Sequence, residues 1–341
     1  MLNTILIKEL DIKEFRGIRK LAKPIKLEKF NIIIGRNNTG KTTILEALFL
    51  LPIFTKIPTL GTSRIELLST LHGGISSLVY GYSGTAIIDY KVSDHKIQLK
   101  LSNNGTVSAI INETKISNTS ATPIASSTQD QYLRTLSEIM KTPTEELPST
   151  ILFIPNDTQF LKELQNKLVP EDEWNRVVKS GANTTTIKEL VNPTVHDKYT
   201  EAFIQRNDIR LRKELPDSKV LYIKITDIGD GIERALTTAL WLESHKPKLV
   251  LWDDIETAAH PGLIEVLLKW LTNKPWQTVI TTHSIDVLYE LAYLEPKNTQ
   301  AILLTKTPND IVNYKTLTID QLDEILEKGL DPRKLADILK L

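Results

Sequence analysis

Apolar residues form two kinds of runs along the chain, and each kind predicts a different sort of strand. In the first kind apolar and polar residues alternate, as they do in half-buried antiparallel strands. Thr85–Val92, Lys96–Leu101 and Thr106–Ile111 are such runs, and Asn103-Asn104-Gly105 is a typical hairpin turn between the last two. Ile5–Ile12 alternates in the same way. We predict that an antiparallel meander forms in this part of the chain.

The second kind of run is apolar throughout, which is typical of parallel strands that are buried on both faces. Lys248–Trp252, Thr278–Thr282 and Ala301–Thr305 are of this kind, and segments of helical length separate them. From residue 219 onward the pattern therefore predicts alternating strands and helices, with Val220–Ile225 as the first strand.

Helical periodicity dominates the middle of the chain. The helices predicted there are Gln131–Met140, Asp157–Gly181 and 183–216. Pro193 interrupts the last of them, and Thr150–Ile154 is predicted as a strand. Ser117–Asp130 is rich in Ser, Thr and Ala, so we predict a mobile surface loop. Two short helices, Ile319–Lys328 and Asp331–Leu341, are predicted to end the chain.

These patterns predict an α/β fold whose core comes from both ends of the chain. Residues 1–112 and 219–341 would form the two halves of the core. Residues 113–218 would form an inserted loop and helical lobe.

One stretch has the spacing of a phosphate-binding loop, G-x-x-x-x-G-K-[ST]. It follows the apolar run Phe30–Ile34 and precedes an amphipathic helix that ends near Leu51. In such a loop backbone N–H groups and the helix N-terminus bind phosphate. We expect Lys41 to bridge the β- and γ-phosphates and the Thr42 hydroxyl to ligate Mg²⁺. The predicted nucleotide-binding residues are Gly35, Arg36, Asn37, Asn38, Thr39, Gly40, Lys41, Thr42 and Thr43.

Two carboxylates follow the apolar strand at 248–252. Asp253 is positioned to hold Mg²⁺ as a Walker B residue, and Asp254 to act as the general base that orients the attacking water. Without a phosphate loop, the same residues would be interpreted as a solvated acidic turn. The phosphate loop favours the catalytic interpretation.

His283 and a pair of glycines lie at two further strand ends. The His283 imidazole could hydrogen-bond the γ-phosphate or the attacking water, although a histidine at a strand end is more often a plain surface residue. Gly229 and Gly231 open a helix and would form a second anion-binding N-terminus. Since one nucleotide does not need two such sites, we predict that this one serves another subunit. The alternative is an ordinary turn that Asp227 caps.

Composition narrows the possible partners. Among 341 residues, Lys plus Arg and Asp plus Glu number 42 each, so no global basic field points to nucleic acid. The chain has no cysteine, and its six histidines lack metal-ligand spacing. The longest apolar stretch, Ile44–Phe54, is too short to cross a membrane, and Met1–Thr4 lacks the features of a secretion signal. We therefore expect a cytoplasmic protein with no membrane partner.

The order of these motifs resembles the ABC-type ATPase heads of the RecF, SMC and OLD branch, most of all the compact OLD-like ATPases labelled as AAA-type cores. The resemblance extends from about Leu6 to about Thr305. The motifs that carry it are Phe15-Arg16-Gly17-Ile18, the phosphate loop, an inserted lobe, Gly229-Asp230-Gly231-x-x-Arg234, the Walker B strand followed by Glu256-x-x-x-His260-Pro261, and Thr281-Thr282-His283-Ser284.

The resemblance implies a P-loop NTPase with a mixed-sheet core, an antiparallel β subdomain and an inserted helical lobe. It also implies ATP as the nucleotide and a head-to-tail homodimer that encloses it. Gly229 and Gly231 would then contact the partner's γ-phosphate, and Arg16 would approach the phosphates.

Three departures from that family matter. The motif Gly229-Asp230-Gly231-x-x-Arg234 corresponds to the family's signature motif, which usually has a serine where Asp227 stands. The Asp227 carboxylate would repel a phosphate. It would therefore cap the helix instead, or Thr226 would supply the hydroxyl. Asp254 replaces the usual glutamate and is one methylene shorter, which predicts slow turnover. Only 58 residues follow His283, so we expect no OLD-type nuclease domain, and the insertion lacks the heptads of an SMC arm.

The leading hypothesis is a Mg²⁺-dependent ATPase whose ATP-driven dimerisation acts on another molecule, in nucleic-acid maintenance or defence. The second is a nucleotide-gated switch that controls a partner protein and hydrolyses ATP only to reset. A transporter ATPase subunit is disfavoured, because the signature lacks the form Leu-Ser-Gly-Gly-Gln. The sequence leaves open whether the partner is nucleic acid or an effector protein.

Overall fold

A large mixed β-sheet dominates the computed structural model, which describes residues 5–120, 127–216 and 218–338. Thirteen strands form this sheet and three form a second one. The strands are β1 (Ile7–Phe15), β2 (Ile18–Leu21), β3 (Ile25–Lys26), β4 (Phe30–Gly35), β5 (Thr85–Val92), β6 (His95–Ser102), β7 (Thr106–Ile111), β8 (Thr114–Ser120), β9 (Ile151–Ile154), β10 (Tyr199–Gln205), β11 (Asp208–Glu214), β12 (Val220–Lys224), β13 (Leu249–Trp252), β14 (Gln277–Thr281), β15 (Thr299–Lys306) and β16 (Ile311–Thr318).

Helices cover the sheet and build the inserted lobe. They are α1 (Lys41–Phe49), α2 (Arg64–His72), α3 (Ser127–Met140), α4 (Leu147–Thr150), α5 (Thr158–Leu168), α6 (Glu171–Ser180), α7 (Ala182–Thr186), α8 (Asp230–His245), α9 (Pro261–Thr272), α10 (Ile285–Leu294), α11 (Ile319–Glu327) and α12 (Pro332–Ile338). Within the described ranges, none of them combines the length and apolar character that crossing a bilayer requires.

Five neighbouring strands of the large sheet are parallel, in the order β15-β4-β14-β13-β9. All residues of β4, β9, β13 and β14 are buried, as expected for apolar strands covered on both faces. Parallel strands end at the same edge of a sheet. The loops that follow Gly35, Ile154, Trp252 and Thr281 therefore meet at one edge, and they contain the predicted catalytic residues.

The other half of the sheet runs β8-β7-β6-β5-β1-β2-β16, and β16 joins it to β15. The predicted meander is confirmed as β5, β6 and β7, which pair antiparallel and bury Ile97, Leu99 and Leu101. The α/β fold class is confirmed as well. Strands β1, β2 and β16 connect the meander to the parallel strands of the core. Of these three, β2 and β16 were not predicted from the sequence.

Helix α1 follows the phosphate loop and lies in the interior of the molecule. It contacts β1 on one side and the parallel strands β4, β9, β13 and β14 on the other, and every residue except Thr42 is buried. Side chains from distant elements satisfy the carbonyls at its C-terminal end. Tyr90 and Tyr132 donate to the Ala47 and Leu51 carbonyls, at 2.6 Å each. The buried Arg64 donates to the Phe49 carbonyl at 3.1 Å. The helix that carries Lys41 and Thr42 is thus fixed at its far end.

The prediction that 183–216 is helical is wrong beyond Val191. A short helix and a π-helical turn end at Val191, and β10 and β11 then form a hairpin. Its turn residues, Arg206 and Asn207, have φ angles of 53° and 59°, as a two-residue type I′ turn requires. The alternation that buries Ala202, Ile209 and Leu211 sets the strand register.

The strand predicted at Val220–Ile225 exists as β12, but it is not the first strand of the parallel core. It pairs antiparallel with β11 and completes the three-stranded sheet. The inserted lobe is therefore helical only in part. The helix predicted over Asp157–Gly181 is two helices, α5 and α6, and Pro170 lies between them.

Two segments of 113–218 extend the large sheet. β9 pairs with β13, and β8 extends the meander. The loop predicted over Ser117–Asp130 is wrong at both ends, because β8 continues to Ser120 and α3 begins at Ser127. Residues 121–126 lie outside the described residues, as do 1–4 and 339–341. The division into 1–112, 113–218 and 219–341 stands as a proposal.

Candidate nucleotide-binding site

The phosphate loop follows β4 along a path that its two glycines permit. A Cβ atom on Gly35 would lie 2.8 Å from the Thr39 hydroxyl and 2.9 Å from the Leu304 carbonyl oxygen. Gly40 has a φ angle of 100°, and a Cβ there would lie 2.9 Å from Ile18. Both positions therefore exclude a side chain, Gly40 also by its backbone conformation.

Lys41 is folded back over this loop. Its Nζ donates to the carbonyls of Gly35 and Arg36, at 3.1 and 3.2 Å. The side chain is buried, and burial lowers the pKa of Lys41, while Asp254 and Asp253 act in the opposite direction. The loop thus holds a buried ammonium group beside two carboxylates.

Asp253 is the buried carboxylate at the end of β13. The Thr42 hydroxyl lies 3.1 and 3.0 Å from its two oxygens, and the Thr281 hydroxyl donates to Oδ1 at 2.7 Å. Burial raises the pKa of Asp253 to about 6, although the hydrogen bond from Thr281 partly opposes this. The raised pKa means that burial disfavours the charged carboxylate, and a nearby cation would stabilise that charge.

The donor set around Asp253 fits Mg²⁺. One carboxylate and one hydroxyl leave most positions of an octahedron to water and phosphate oxygens, as Mg²⁺ in nucleotide sites prefers. No cluster of three or more His, Cys, Asp or Glu side chains suited to a metal ion occurs in the part of the chain that the structure describes.

Asp254 is held in an unusual backbone conformation next to Asp253. Its φ angle is 45°, in the left-handed region, and its N–H donates to the Thr281 hydroxyl at 2.8 Å. The Asn156 amide donates to its Oδ2 at 3.1 Å, and His283 Nε2 lies 3.8 Å from its Oδ1. The Thr281 hydroxyl therefore links Asp253 and Asp254, and the imidazole of His283 faces the second of them.

These groups border a cleft of about 290 Å³. Its lining residues are Arg16, Gly17, Asn37, Asn38, Gly40, Lys41, Thr42, Thr43, Asp254 and His283. A larger cavity of about 670 Å³, lined by Met140, Pro247 and Trp276 among others, lies at the opposite edge of the parallel strands. The small cleft is the one that contains the phosphate loop and the catalytic candidates, so we assign the nucleotide site to it.

Arg16 reaches the cleft wall, but its guanidinium group is bound within the protein. It forms an ion pair with the fully buried Glu46, and its Nη2 contacts His72 Nδ1 at 3.1 Å. His72 Nε2 lies 2.6 Å from the other Glu46 oxygen, which closes the network. Arg16 lines the cleft, as the predicted approach to phosphate needs, and the contacts with Glu46 and His72 use one N–H each on Nη1 and Nη2.

Two family models match the chain on either side of the meander. The model "AAA ATPase domain" matches residues 6–64, which contain the phosphate loop. The model "AAA domain, putative AbiEii toxin, Type IV TA system" matches residues 131–289, which contain Asp253, Asp254 and His283. Both models describe AAA-type domains, and the chain is an ATPase.

Solved structures show the fold of this ATPase. The Smc head of Pyrococcus furiosus bound to the C-terminal domain of ScpA has a TM-score of 0.60 and 11% identity, and the match covers 95% of this chain and 99% of that one. A SmcHead bound to the C-winged helix domain of ScpA has a TM-score of 0.62 and 16% identity, over 96% and 100%. The Thermotoga maritima SMC head has a TM-score of 0.51 and 13% identity, over 92% and 99%. No curated protein is significantly similar in sequence.

The predicted signature residues of the ATPase do not line its own nucleotide cleft. Gly229 has a φ angle of 103° and open space where a Cβ would be, at the start of α8. Asp227 does not cap α8, and the Thr226 hydroxyl is directed at the Asp227 carboxylate, at 3.4 Å. The capping alternative for Asp227 is therefore wrong.

Gly231 is packed against the loop that follows the Walker B strand. A Cβ at this position would lie 2.3 Å from the carbonyl oxygen of Ala258. The family resemblance implies that Gly231 contacts a partner's γ-phosphate, and that contact stays a prediction. In the structure the Ala258 carbonyl of the same chain occupies the space that a side chain on Gly231 would need. Gly229 is the more accessible of the two.

Replacing Gly231 by Ala is expected to destabilise the nucleotide-free ATPase by about 1–3 kcal/mol, because the methyl group would force α8 away from Ala258. Gly262 offers a matched control, since it is also the second residue of a helix and has its nearest neighbour at 3.8 Å. Gly262→Ala should leave stability unchanged or slightly higher. Thermal unfolding of both variants tests this, and equal unfolding temperatures would contradict the close contact.

Three residues of the site received no role from the sequence, although two of them, Thr281 and Arg234, belong to its motifs. Asn156 binds Asp254, Thr281 binds both aspartates, and Arg234 of the signature helix donates to the Pro155 carbonyl at 3.1 Å. Asn156 and Thr281 lie at the carboxyl ends of parallel strands, so the strand-end rule that identified Asp253 could have identified them too. No local signal marks the Arg234 contact, which joins α8 to the loop after β9.

Proposed function

We propose that the chain hydrolyses ATP in a Mg²⁺-dependent reaction at a site that two copies complete in a head-to-tail homodimer. The observation that carries the proposal is the position of the Thr42 hydroxyl, 3.1 and 3.0 Å from the oxygens of Asp253, beside the buried Lys41. This is the arrangement in which a P-loop hydroxyl and a Walker B carboxylate share one cation.

Each group has a distinct task in this proposal. Backbone N–H groups of Asn37 to Thr43 bind the phosphates, and Lys41 exchanges its loop carbonyls for phosphate oxygens. Mg²⁺, when bound, neutralises charge on the phosphates. Asp254 accepts a proton from the attacking water and orients it, while His283 donates a hydrogen bond to that water or to the γ-phosphate.

The dimer explains the accessible start of α8. Gly229 and the N-terminus of α8 lie outside the cleft of their own chain, where a second copy could present its nucleotide. In this arrangement the Thr226 hydroxyl, rather than the Asp227 carboxylate, would face the phosphate, since a carboxylate there would repel it. Gly231 would act indirectly, by keeping α8 close to the Ala258 loop.

In this proposal the ATPase acts in nucleic-acid maintenance or defence, and the partner on which it acts is an effector protein or a nucleic acid. The description of the second family model includes a toxin–antitoxin system, and two of the similar SMC heads are bound to ScpA domains. Both favour a partner macromolecule. A cytoplasmic location remains part of the proposal.

The experiment that tests the proposal measures ATP hydrolysis against protein concentration, with and without Mg²⁺. We expect the specific activity to rise with concentration, because the site needs two copies, and to vanish when Mg²⁺ is chelated. A specific activity that is constant over a wide range of concentration, with no dimer in light scattering, would contradict the composite site.

A second function is favoured by the carboxylate at position 254. The Asp254 side chain is short, its Oδ2 accepts from Asn156 and its backbone N–H donates to Thr281, so its reach toward the attacking water is limited. A nucleotide-gated switch would use this slow chemistry as a timer. The switch would be favoured if the chain binds ATP tightly and dimerises, and if it hydrolyses ATP much more slowly than a partner dissociates. Acceleration by DNA or RNA would favour the first function.

A further inference from the structure

Distant side chains hold the peptide groups on both sides of His283. The N–H of His283 donates to Glu256 Oε1 at 2.5 Å, and its carbonyl accepts from Arg333 Nη1 at 2.6 Å. These partners are 27 and 50 residues away along the sequence. Because His283 lies in the loop between β14 and α10, no strand or helix hydrogen bonds fix it. The two contacts therefore fix the backbone from which its imidazole projects.

Arg333 is itself rigidly held. Its Nε and Nη2 bind the two oxygens of Asp331, at 2.8 and 2.7 Å, which leaves Nη1 free to bind His283. The hydrogen bonds to Asp331 raise the pKa of Arg333, so the guanidinium group stays charged. A planar guanidinium fixed at two corners has little freedom at the third.

The C-terminal helix anchors this arrangement to the nucleotide site. Arg333 lies in the first turn of α12, and α12 packs on β15 and on β4, the strand that leads into the phosphate loop. Glu256, on the other side of His283, has its second carboxylate oxygen buried without a hydrogen-bond partner among the described residues. Arg333 lies close enough to interact with the charge of Glu256. Arg333 thus binds the His283 carbonyl and also interacts with Glu256, the residue that binds the His283 N–H.

We propose that Arg333 is a positioning residue of the ATPase, which holds the His283 loop so that the imidazole reaches the reacting phosphate. Through Arg333 the segment Asp331–Ile338 becomes part of the hydrolytic machinery, although it lies beyond every motif in the sequence. The inference rests on the catalytic role proposed for His283. Because Arg333 acts through His283, its loss slows hydrolysis and leaves ATP affinity unchanged.

The test is a double-mutant cycle on the full chain under single-turnover conditions, which register slow hydrolysis. The variants are Arg333→Ala, His283→Ala and the combination of both, and ATP affinity is measured separately for each. Arg333→Ala is expected to lower the hydrolysis rate about tenfold, the size of effect that a small misplacement of a catalytic group produces. The dissociation constant of ATP should stay within about twofold. In the His283→Ala background, Arg333→Ala should have no further effect.

Two further variants separate positioning from a general loss of stability. Lys334→Ala changes the exposed neighbour in the same turn and should hydrolyse ATP at the rate of the unchanged protein. Arg333→Lys keeps the charge and one donor but loses the fork to Asp331, so it should restore part of the rate. If Arg333→Ala does not fold, Arg333→Lys and Asp331→Asn replace it in the cycle.

The outcomes distinguish this inference from the proposed function. If His283→Ala is slow and the double variant is slower by the full Arg333→Ala factor, Arg333 acts independently of His283 and the inference is overturned. Unchanged hydrolysis in folded Arg333→Ala would overturn it too. If His283→Ala hydrolyses ATP at the original rate, the catalytic role of His283 in the proposed function fails first, and the inference fails with it.

Discussion

Replacing Lys41 by Met is expected to reduce ATP hydrolysis by about 100-fold or more, the cost of removing a donor to a developing charge in a dry site. Lys41 is the buried cation of the phosphate loop, and its Nζ already lies against two loop carbonyls that phosphate oxygens would replace. Methionine keeps the length and the apolar stem but cannot donate. Steady-state hydrolysis and ATP binding by calorimetry measure the effect.

Lys29 provides a matched control at the other end of β4. It is also buried, and its Nζ donates to the Trp276 carbonyl at the edge opposite the nucleotide cleft. Lys29→Met should therefore leave hydrolysis unchanged. If Lys29→Met also loses activity, the loss in Lys41→Met is not specific to the phosphate loop, and the effect of each substitution on folding is then measured by thermal unfolding. Activity retained by Lys41→Met would refute the assignment of the phosphate site.

Lys29→Met should also change the pH dependence of stability. Burial lowers the pKa of Lys29 to about 8 from the usual 10.5, so the unfolded chain binds this proton more tightly than the folded chain. The free energy of unfolding therefore rises as pH increases from about 8 to about 10.5. The Met variant should lack this rise, which would show that the substitution removed the intended group.

The phosphate loop and the two aspartates could be predicted because their chemistry depends on short sequence spacing. The glycine at 35, the lysine at 41 and the apolar strand before them determine the local backbone, and Asp253 follows a strand that only a parallel core would bury. Where a motif is local in this sense, the sequence determines both the backbone and the position of the side chains. Nucleotide binding followed from such motifs, and ATP as the nucleotide followed from the family resemblance that they carry.

Features that depend on tertiary contacts could not be predicted in this way. The β10–β11 hairpin has Arg206-Asn207 as its turn, which lacks the glycine of the strong hairpin signals, so helical periodicity dominated the interpretation. The position of Gly231 against Ala258 depends on how α8 packs on a loop. The contact of Arg333 with His283 joins two segments 50 residues apart. In each case the contact depends on how distant segments pack in the fold, and such packing produces no periodic pattern in the sequence.

Replacing Asp254 by Asn is expected to lower the hydrolysis rate by about 100-fold or more, as loss of a general base does. ATP affinity should stay the same or increase, because a negative charge near the phosphate is removed. The left-handed backbone at position 254 accepts Asn as readily as Asp. The variant should therefore fold normally and accumulate as an ATP-bound dimer. Single-turnover hydrolysis and light scattering with ATP measure this, and wild-type hydrolysis would show that another group is the base.

Asp254→Glu tests why the chain has the shorter carboxylate at this position. The added methylene should bring the carboxylate closer to the attacking water, and we expect hydrolysis to accelerate, by up to about 100-fold if the present misplacement is near 1 Å. The φ angle of 45° opposes this change, since a longer side chain in the left-handed region costs about 1–2 kcal/mol. The variant should thus be faster and less stable. If it is less stable and no faster, the reach of Asp254 does not limit turnover, and the switch hypothesis loses the observation that favours it.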